Sequence, residues 1–91
     1  MSQTAKHVIF IGRVQGIGFR FTVLNTANRC QLTGFVRNLP SGTVEMFAQG
    51  NPDNIDDCIR DIQESFAGCV TDTKIEDASF DPAHTTFKIT F

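Results

Sequence analysis

No stretch of this 91-residue chain is long and apolar enough to cross a bilayer, so a membrane-spanning role is not expected. The opening Met1-Ser2-Gln3-Thr4-Ala5-Lys6 lacks the charged-then-apolar layout of a secretory leader. Cysteine is scarce: Cys30, Cys58 and Cys69 are odd in number, widely spaced and without a Cys-x-x-Cys pair. A disulfide framework is therefore not expected, and a reducing cytoplasm is the expected setting. Cys30 and Cys58 fall on apolar helix faces, where cysteine acts as a small hydrophobe. Positive charge is not in excess either. Eight Lys and Arg against ten Asp and Glu leave a net charge of −2, the wrong sign for a nucleic-acid binder that neutralises many phosphates. His7 and His84 stand alone, and the cysteines have no ligand spacing, so no metal centre and no cofactor are expected. Repeats, linkers and low-complexity tracts are missing.

What the chain does have is 41% hydrophobic residues and nine Phe, enough for one folded domain over residues 1–91. Residues 7–14 read as a central strand, rich in β-branched and apolar residues. Phe19, Val23, Ala27 and Cys30, with Leu24 alongside, recur at helical spacing over 19–31. Thr33–Leu39 and Thr43–Gln49 read as strands joined by the turn Pro40-Ser41-Gly42. A second helix starts at the cap Asn51-Pro52-Asp53, carries Ile55, Cys58, Ile59, Ile62 and Phe66 on one face, and is expected to close at Gly68. Val70–Phe80 reads as a fourth strand. Phe87, Ile89 and Phe91 alternate with Lys88 and Thr90 in a fifth that runs to the end of the chain. The order β-α-β-β-α-β plus a final strand predicts an α+β, ferredoxin-like sandwich: a mostly antiparallel sheet with two helices on one face. That fold hosts many functions and decides none.

The chemistry-bearing segment is Gly12-Arg13-Val14-Gln15-Gly16-Ile17-Gly18-Phe19-Arg20-Phe21. A strand ends, two glycines bracket Ile17, and an arginine stands where a helix begins. Glycine allows successive backbone N–H groups to converge on one anion, and a helix N-terminus adds unpaired donors. A cation at that dipole end is locally unfavourable by about 0.3–1 kcal/mol, which an anionic ligand offsets. The segment is not a Walker A motif, because no Gly-Lys-Ser/Thr follows, and Phe21 takes the third glycine position of a dinucleotide fingerprint. No Cys-x5-Arg loop and no serine or cysteine nucleophile sits in it.

Gly12-Arg13-Val14-Gln15-Gly16-Ile17-Gly18-Phe19-Arg20 resembles the Gly-x-Val-Gln-Gly-Val-x-Phe-Arg signature of acylphosphatases. Gly34-Phe35-Val36-Arg37-Asn38, running on through Gly42-Thr43-Val44, resembles that family's second signature, with Ile17 replacing a usual valine and Phe35 a usual Trp or Tyr. The resemblance spans the whole chain. It implies the ferredoxin-like fold and hydrolysis of the carboxyl–phosphate bond of acyl phosphates. It assigns phosphoryl binding to Arg20 and to the backbone N–H groups of Gln15, Gly16, Ile17, Gly18, Phe19 and Arg20, and orientation of the attacking water to Asn38. A small-molecule acyl phosphate is then the partner, inorganic phosphate the product and competitive ligand, and neither nucleic acid nor membrane is involved. Small size and the lack of heptads point to a monomer.

Three alternatives compete with this. A non-catalytic anion-sensing or interaction module of the same fold keeps the cradle without turnover. An RNA-binding ferredoxin-like domain is opposed by the net charge. The acylphosphatase-like module of a hydrogenase-maturation carbamoyltransferase is disfavoured, because no further domain follows Phe91. Asp53, Asp56, Asp57 and Asp61 are expected to form a solvated helix face, Arg37 to point away from Asn38, and Thr43 to hydrogen-bond near Asn38.

Overall fold

The computed structural model of the chain describes residues 3–91; Met1 and Ser2, the start of the stretch read above as leaderless, lie outside the described residues. The elements are β1 (Thr4–Gly12), α1 (Phe19–Arg29), β2 (Thr33–Asn38), β3 (Val44–Gly50), α2 (Pro52–Ser65), β4 (Val70–Ala78) and β5 (Phe87–Ile89). They form one five-stranded sheet in the order β4-β1-β3-β2-β5. Pairs β1–β3, β1–β4 and β2–β3 are antiparallel and β2–β5 is parallel. This is the expected ferredoxin-like α+β arrangement, with the additional strand added beside β2.

Alternation along β1 and β3 sends Val8, Phe10, Val44, Met46 and Ala48 to the face that α1 and α2 cover. Val23 and Ala27 of α1 and Ile55, Cys58, Ile59 and Ile62 of α2 complete that core. Phe19 sits at its end, 5.1 Å from the ring of Phe10 and 4.8 Å from that of Phe66, so the first turn of α1 is anchored in apolar packing. All three cysteines are free, and burial pushes the Cys58 thiol up to about 12, as suits a packing residue. Asp53, Asp56 and Asp57 are exposed and Asp61 half-buried on the outer side of α2, as expected. Among the described residues no helix is long and apolar enough to cross a membrane.

Element ends depart from the sequence reading for identifiable reasons. β1 runs from Thr4 to Gly12 instead of over 7–14, because its pairing with β4 shifts register between Ile11 and Gly12. Gly68 does not close α2. The helix stops at Ser65, and Phe66 O collects the N–H groups of both Cys69 (2.8 Å) and Val70 (2.9 Å), a turn that needs no left-handed residue at 68. β4 ends at Ala78 instead of Phe80, and β5 at Ile89 instead of Phe91. α1 stops at Arg29, two residues early. Gln31 takes the left-handed conformation (φ 60°), Leu32 N–H donates to Ala27 O at 2.9 Å and Gln31 N–H to Asn28 O at 3.1 Å. That is a Schellman closure with glutamine where glycine is preferred. Gln31→Gly should therefore raise stability by about 0.5 kcal/mol, the left-handed strain relieved less the extra chain entropy of glycine. A higher urea midpoint at unchanged slope is the readout, and an unchanged or lower midpoint would count against it.

The other face of the sheet carries a charged cluster. Glu45 accepts from His7 Nε2 at 2.6 Å and from Arg37 Nε at 2.5 Å. Burial alone would raise the Glu45 carboxyl, but the hydrogen bonds from His7 and Arg37 outweigh it and hold the group below the ordinary carboxylate range. A depressed carboxylate contributes stability above its unfolded value, about 4.3, and loses that contribution as pH falls through the folded value. The urea midpoint should thus fall more steeply below about pH 4.5 in the parent than in Glu45→Gln. Equal acid slopes would remove Glu45 from the account.

Because β4 and β5 lie at opposite edges, residues 79–86 must cross this open face. Gln49, only 1% exposed, pins the crossing: its Nε2 donates to Asp81 O (2.8 Å) and His84 O (3.3 Å), and its Oε1 accepts from Asp81 N (2.8 Å). His84 lies against the rings of Phe47 and Phe35, at 5.1 and 5.8 Å.

Candidate active site

The two helices begin differently. At α2, the Asn51 side chain accepts from Asp53 N–H at 2.8 Å, Pro52 follows, and Asp53 supplies an acid in the first turn. At α1 the cap is Gly18, which offers no side chain, the first turn holds no acid, and Arg20 is its charged residue. Gly16 and Gly18 both have left-handed backbones (φ 77° and 78°), a pair of conformations that L side chains adopt only under strain. Among the described residues, no backbone or side-chain acceptor takes the N–H groups of residues 15–20. The segment therefore offers a run of free amide donors at the positive end of a helix dipole, next to one guanidinium.

Gln15 fixes this loop to the β2–β3 turn. Its Nε2 donates to Leu39 O and to Thr43 O, each at 2.9 Å, so its side chain holds the two signature segments together. Leu39 N–H also donates to Thr43 O at 2.9 Å. Thr43 does not reach Asn38: its hydroxyl meets Ser41 Oγ at 2.8 Å instead.

An open cleft of about 270 Å³ lies where the loop, the end of β2 and the last strand meet. Gly16, Gly18, Phe19 and Arg20 line it from the loop side, Asn38 from β2 and Ile89 from β5. The structure thus brings Arg20 and Asn38 to one cavity from separate elements. Arg37, the next residue in β2, points to the opposite face as strand alternation requires and binds Glu45. Asn38 Oδ1 is buried and has no hydrogen-bond partner among the described residues. A buried carboxamide oxygen left in that state costs about 1–3 kcal/mol, so its retention marks a place where another requirement wins. Gln15 and Ile17 are not among the residues that line the cleft. Gln15 turns its side chain to the β2–β3 turn, and Ile17 is 37% exposed at the loop tip.

Four residues that line the cleft lie outside the set expected from the sequence, Val14, Phe21, Ile89 and Phe91, and the two aromatics are the exposed ones. Phe21 lies off the apolar stripe of α1, and an aromatic on the polar side of a helix was the available signal. Phe91 was read as a strand residue, yet it lies past the end of β5 with its ring centroid 5.3 Å from the Arg20 guanidinium carbon.

A sequence profile of the acylphosphatase family matches residues 6–89, nearly the whole chain and both signature segments. The chain is 40% identical over 90 residues to an acylphosphatase of Chlorobaculum tepidum, covering 98% of each sequence. It is 44% identical over 71 residues to one of Bacillus licheniformis, covering 77% of this chain and 79% of that protein. In three dimensions it matches the crystal structure of acylphosphatase from Bacillus subtilis with a TM-score of 0.88 at 30% identity, over 97% of this chain and 99% of the other. It matches an acylphosphatase from Coxiella burnetii at 0.86 and 33% identity, over 97% and 93%. The glycine loop, the strand arrangement and the span of these matches agree: this chain belongs to the acylphosphatase family, whose members are hydrolases of acyl phosphates.

Proposed function

We propose that this protein hydrolyses acyl phosphates without a metal ion, with Arg20 and the amides of residues 15–20 holding the phosphoryl group and Asn38 aiming the water. The observation that carries this is that Arg20, Asn38 and the glycine loop with its free amides line one cleft. A phosphoryl dianion suits that donor set: free amides at a helix N-terminus favour an anion, and the planar guanidinium can give two parallel N–H bonds to its oxygens. Phosphoryl transfer has a loose transition state with charge spread over the equatorial oxygens, so positioning and electrostatics supply most of the acceleration. A carboxamide carries both a donor and an acceptor and no charge, which suits Asn38 to hold a water beside the phosphorus and fix the direction of attack.

The step balances without an acid, a nucleophilic side chain or a metal. The water oxygen forms a bond to phosphorus as the bond from phosphorus to the carboxyl oxygen breaks. The carboxylate leaves with the bonding pair, and a water proton passes to a phosphoryl oxygen. A carboxylate with a solution pKa of about 4 needs no protonation to depart, so the sparse site fits an activated substrate. We also propose a monomeric, cytoplasmic protein that binds inorganic phosphate competitively. Benzoyl phosphate hydrolysis in the presence of a chelator is the decisive assay. Saturable turnover inhibited by phosphate is expected. Phosphate-dependent thermal stabilisation with no turnover would instead make the chain an anion-sensing module, and loss of turnover to the chelator would end the metal-free reading.

A further inference from the structure

Among the described residues five large apolar side chains are exposed, and three of them lie on or beside the glycine loop and its cleft: Ile17 (37% exposed), Phe21 (62%) and Phe91 (95%). The other two, Ile75 and Phe80, belong to β4 and to the crossing that follows it. Phe21 and Phe91 line the same cleft as Arg20 and Asn38, and Ile17 stands between the two glycines of its loop. Isolated exposed apolar residues are ordinary, but aromatics concentrated on the rim of a charged cleft mark a surface that meets an apolar ligand.

The charges at the cleft sharpen this. Among its lining residues Arg20 has the one cationic side chain, and no acidic side chain is present. One guanidinium and a run of amides match one anionic group. Once a phosphoryl group is seated there, no second cation lines the cleft to receive another anion. The Phe91 ring also restricts Arg20. Its centroid lies 5.3 Å from the guanidinium carbon, within the range for a cation–π contact, and such a ring blocks one approach to Arg20 with an apolar surface. Whatever is attached to a cradled phosphoryl group therefore leaves the cleft past Phe21, Phe91 and Ile89, over carbon.

We infer that Phe21 and Phe91 determine acyl-group specificity, selecting acyl phosphates with an uncharged, apolar acyl group over those whose acyl group carries a second anion. This deepens the proposed function and rests on acyl phosphates being the substrates.

Two measurements test it and separate its failure from that of the activity itself. The first is the kcat/KM series for acetyl, butyryl, hexanoyl and benzoyl phosphate, each divided by its spontaneous hydrolysis rate, with succinyl phosphate as the anionic counterpart of butyryl, these two compared as kcat/KM without that division because the succinyl carboxylate attacks its own acyl phosphate. The parent should gain roughly twofold to fourfold per added methylene, the range for partial to full burial of that group. Succinyl phosphate should fall at least about tenfold below butyryl phosphate, the penalty of an unpaired carboxylate held against an apolar rim. In Phe21→Gln and Phe91→Ala the dependence on chain length should flatten, whatever happens to the absolute rates. The second is calorimetric binding of methyl-, hexyl- and phenylphosphonate, which needs no turnover and should show the same gradient in the parent and its loss in the variants. A flat series in the parent, a succinyl preference, or a gradient that survives in the Phe21→Gln/Phe91→Ala double variant would overturn the inference while leaving hydrolysis intact. Graded phosphonate binding without any hydrolysis would do the reverse.

Discussion

Replacing Arg20 by alanine is expected to lower kcat/KM for benzoyl phosphate by about 10³-fold or more, a loss of roughly 4 kcal/mol in transition-state stabilisation. The expectation follows from what remains. The loop amides still converge, but they are partial charges, and the only full positive charge lining the cleft is gone. Inorganic phosphate should bind the variant weakly as well, because the guanidinium meets ground state and transition state alike. Arg20→Lys separates charge from geometry. An ammonium restores the charge but is a point donor that cannot reproduce two coplanar N–H bonds, so recovery should stay within about tenfold of the alanine variant. Near-complete rescue by lysine would show that charge alone suffices. Unchanged activity in Arg20→Ala would remove Arg20 from the site.

Asn38→Ala should behave differently. A group that acts on the attacking water contributes in the transition state and little in the ground state, so kcat should fall by about 10²–10³-fold with KM and phosphate affinity nearly unchanged. The fold itself should not suffer much, because Asn38 Oδ1 has no partner whose bond is lost, and relieving its burial can even stabilise. An enzyme made slower and no less stable is the signature of a polar group kept for chemistry. A variant with full turnover would reassign the water to another group. A collapse of phosphate binding would place Asn38 on the phosphoryl group instead.

How much of this was legible in the sequence varies with the range of the interaction concerned. The amphipathic spacing of Ile55, Cys58, Ile59 and Ile62 and the Asn51-Pro52 cap are local signals, and α2 begins where they put it. The loop glycines and Arg20 were equally plain, because the backbone demand and the charge are encoded in adjacent residues. Strand alternation placed Arg37 and Asn38 on opposite faces. What local patterns could not give was closure. The helical spacing runs on to residue 31, and nothing local indicates that α1 stops at Arg29, since its closure is made by Leu32 reaching back to Ala27 with Gln31 left-handed. Gly68 misled because glycine usually ends helices, whereas here Phe66 O does so by taking two donors. Gln15 read as a backbone contributor, and its side-chain role depends on carbonyls 24 and 28 residues away. Phe91 followed the alternation of β5 faithfully and still lies past its end, against Arg20.

The crossing of residues 79–86, held by Gln49, carries the chain from the far edge of the sheet to the wall of the cleft. β5 pairs only with β2 and only in parallel, so it cannot zip up from a tight hairpin. Its chain must first travel across three central strands that already lie side by side, and each step of that route depends on rings and an amide those strands present. The glycine loop and Asn38 precede the crossing in the chain, whereas Ile89 and the aromatic against Arg20 reach the cleft through it. Loosening the crossing at Gln49 is therefore expected to disturb the Ile89 and Phe91 side of the cleft and to leave the glycine loop in place.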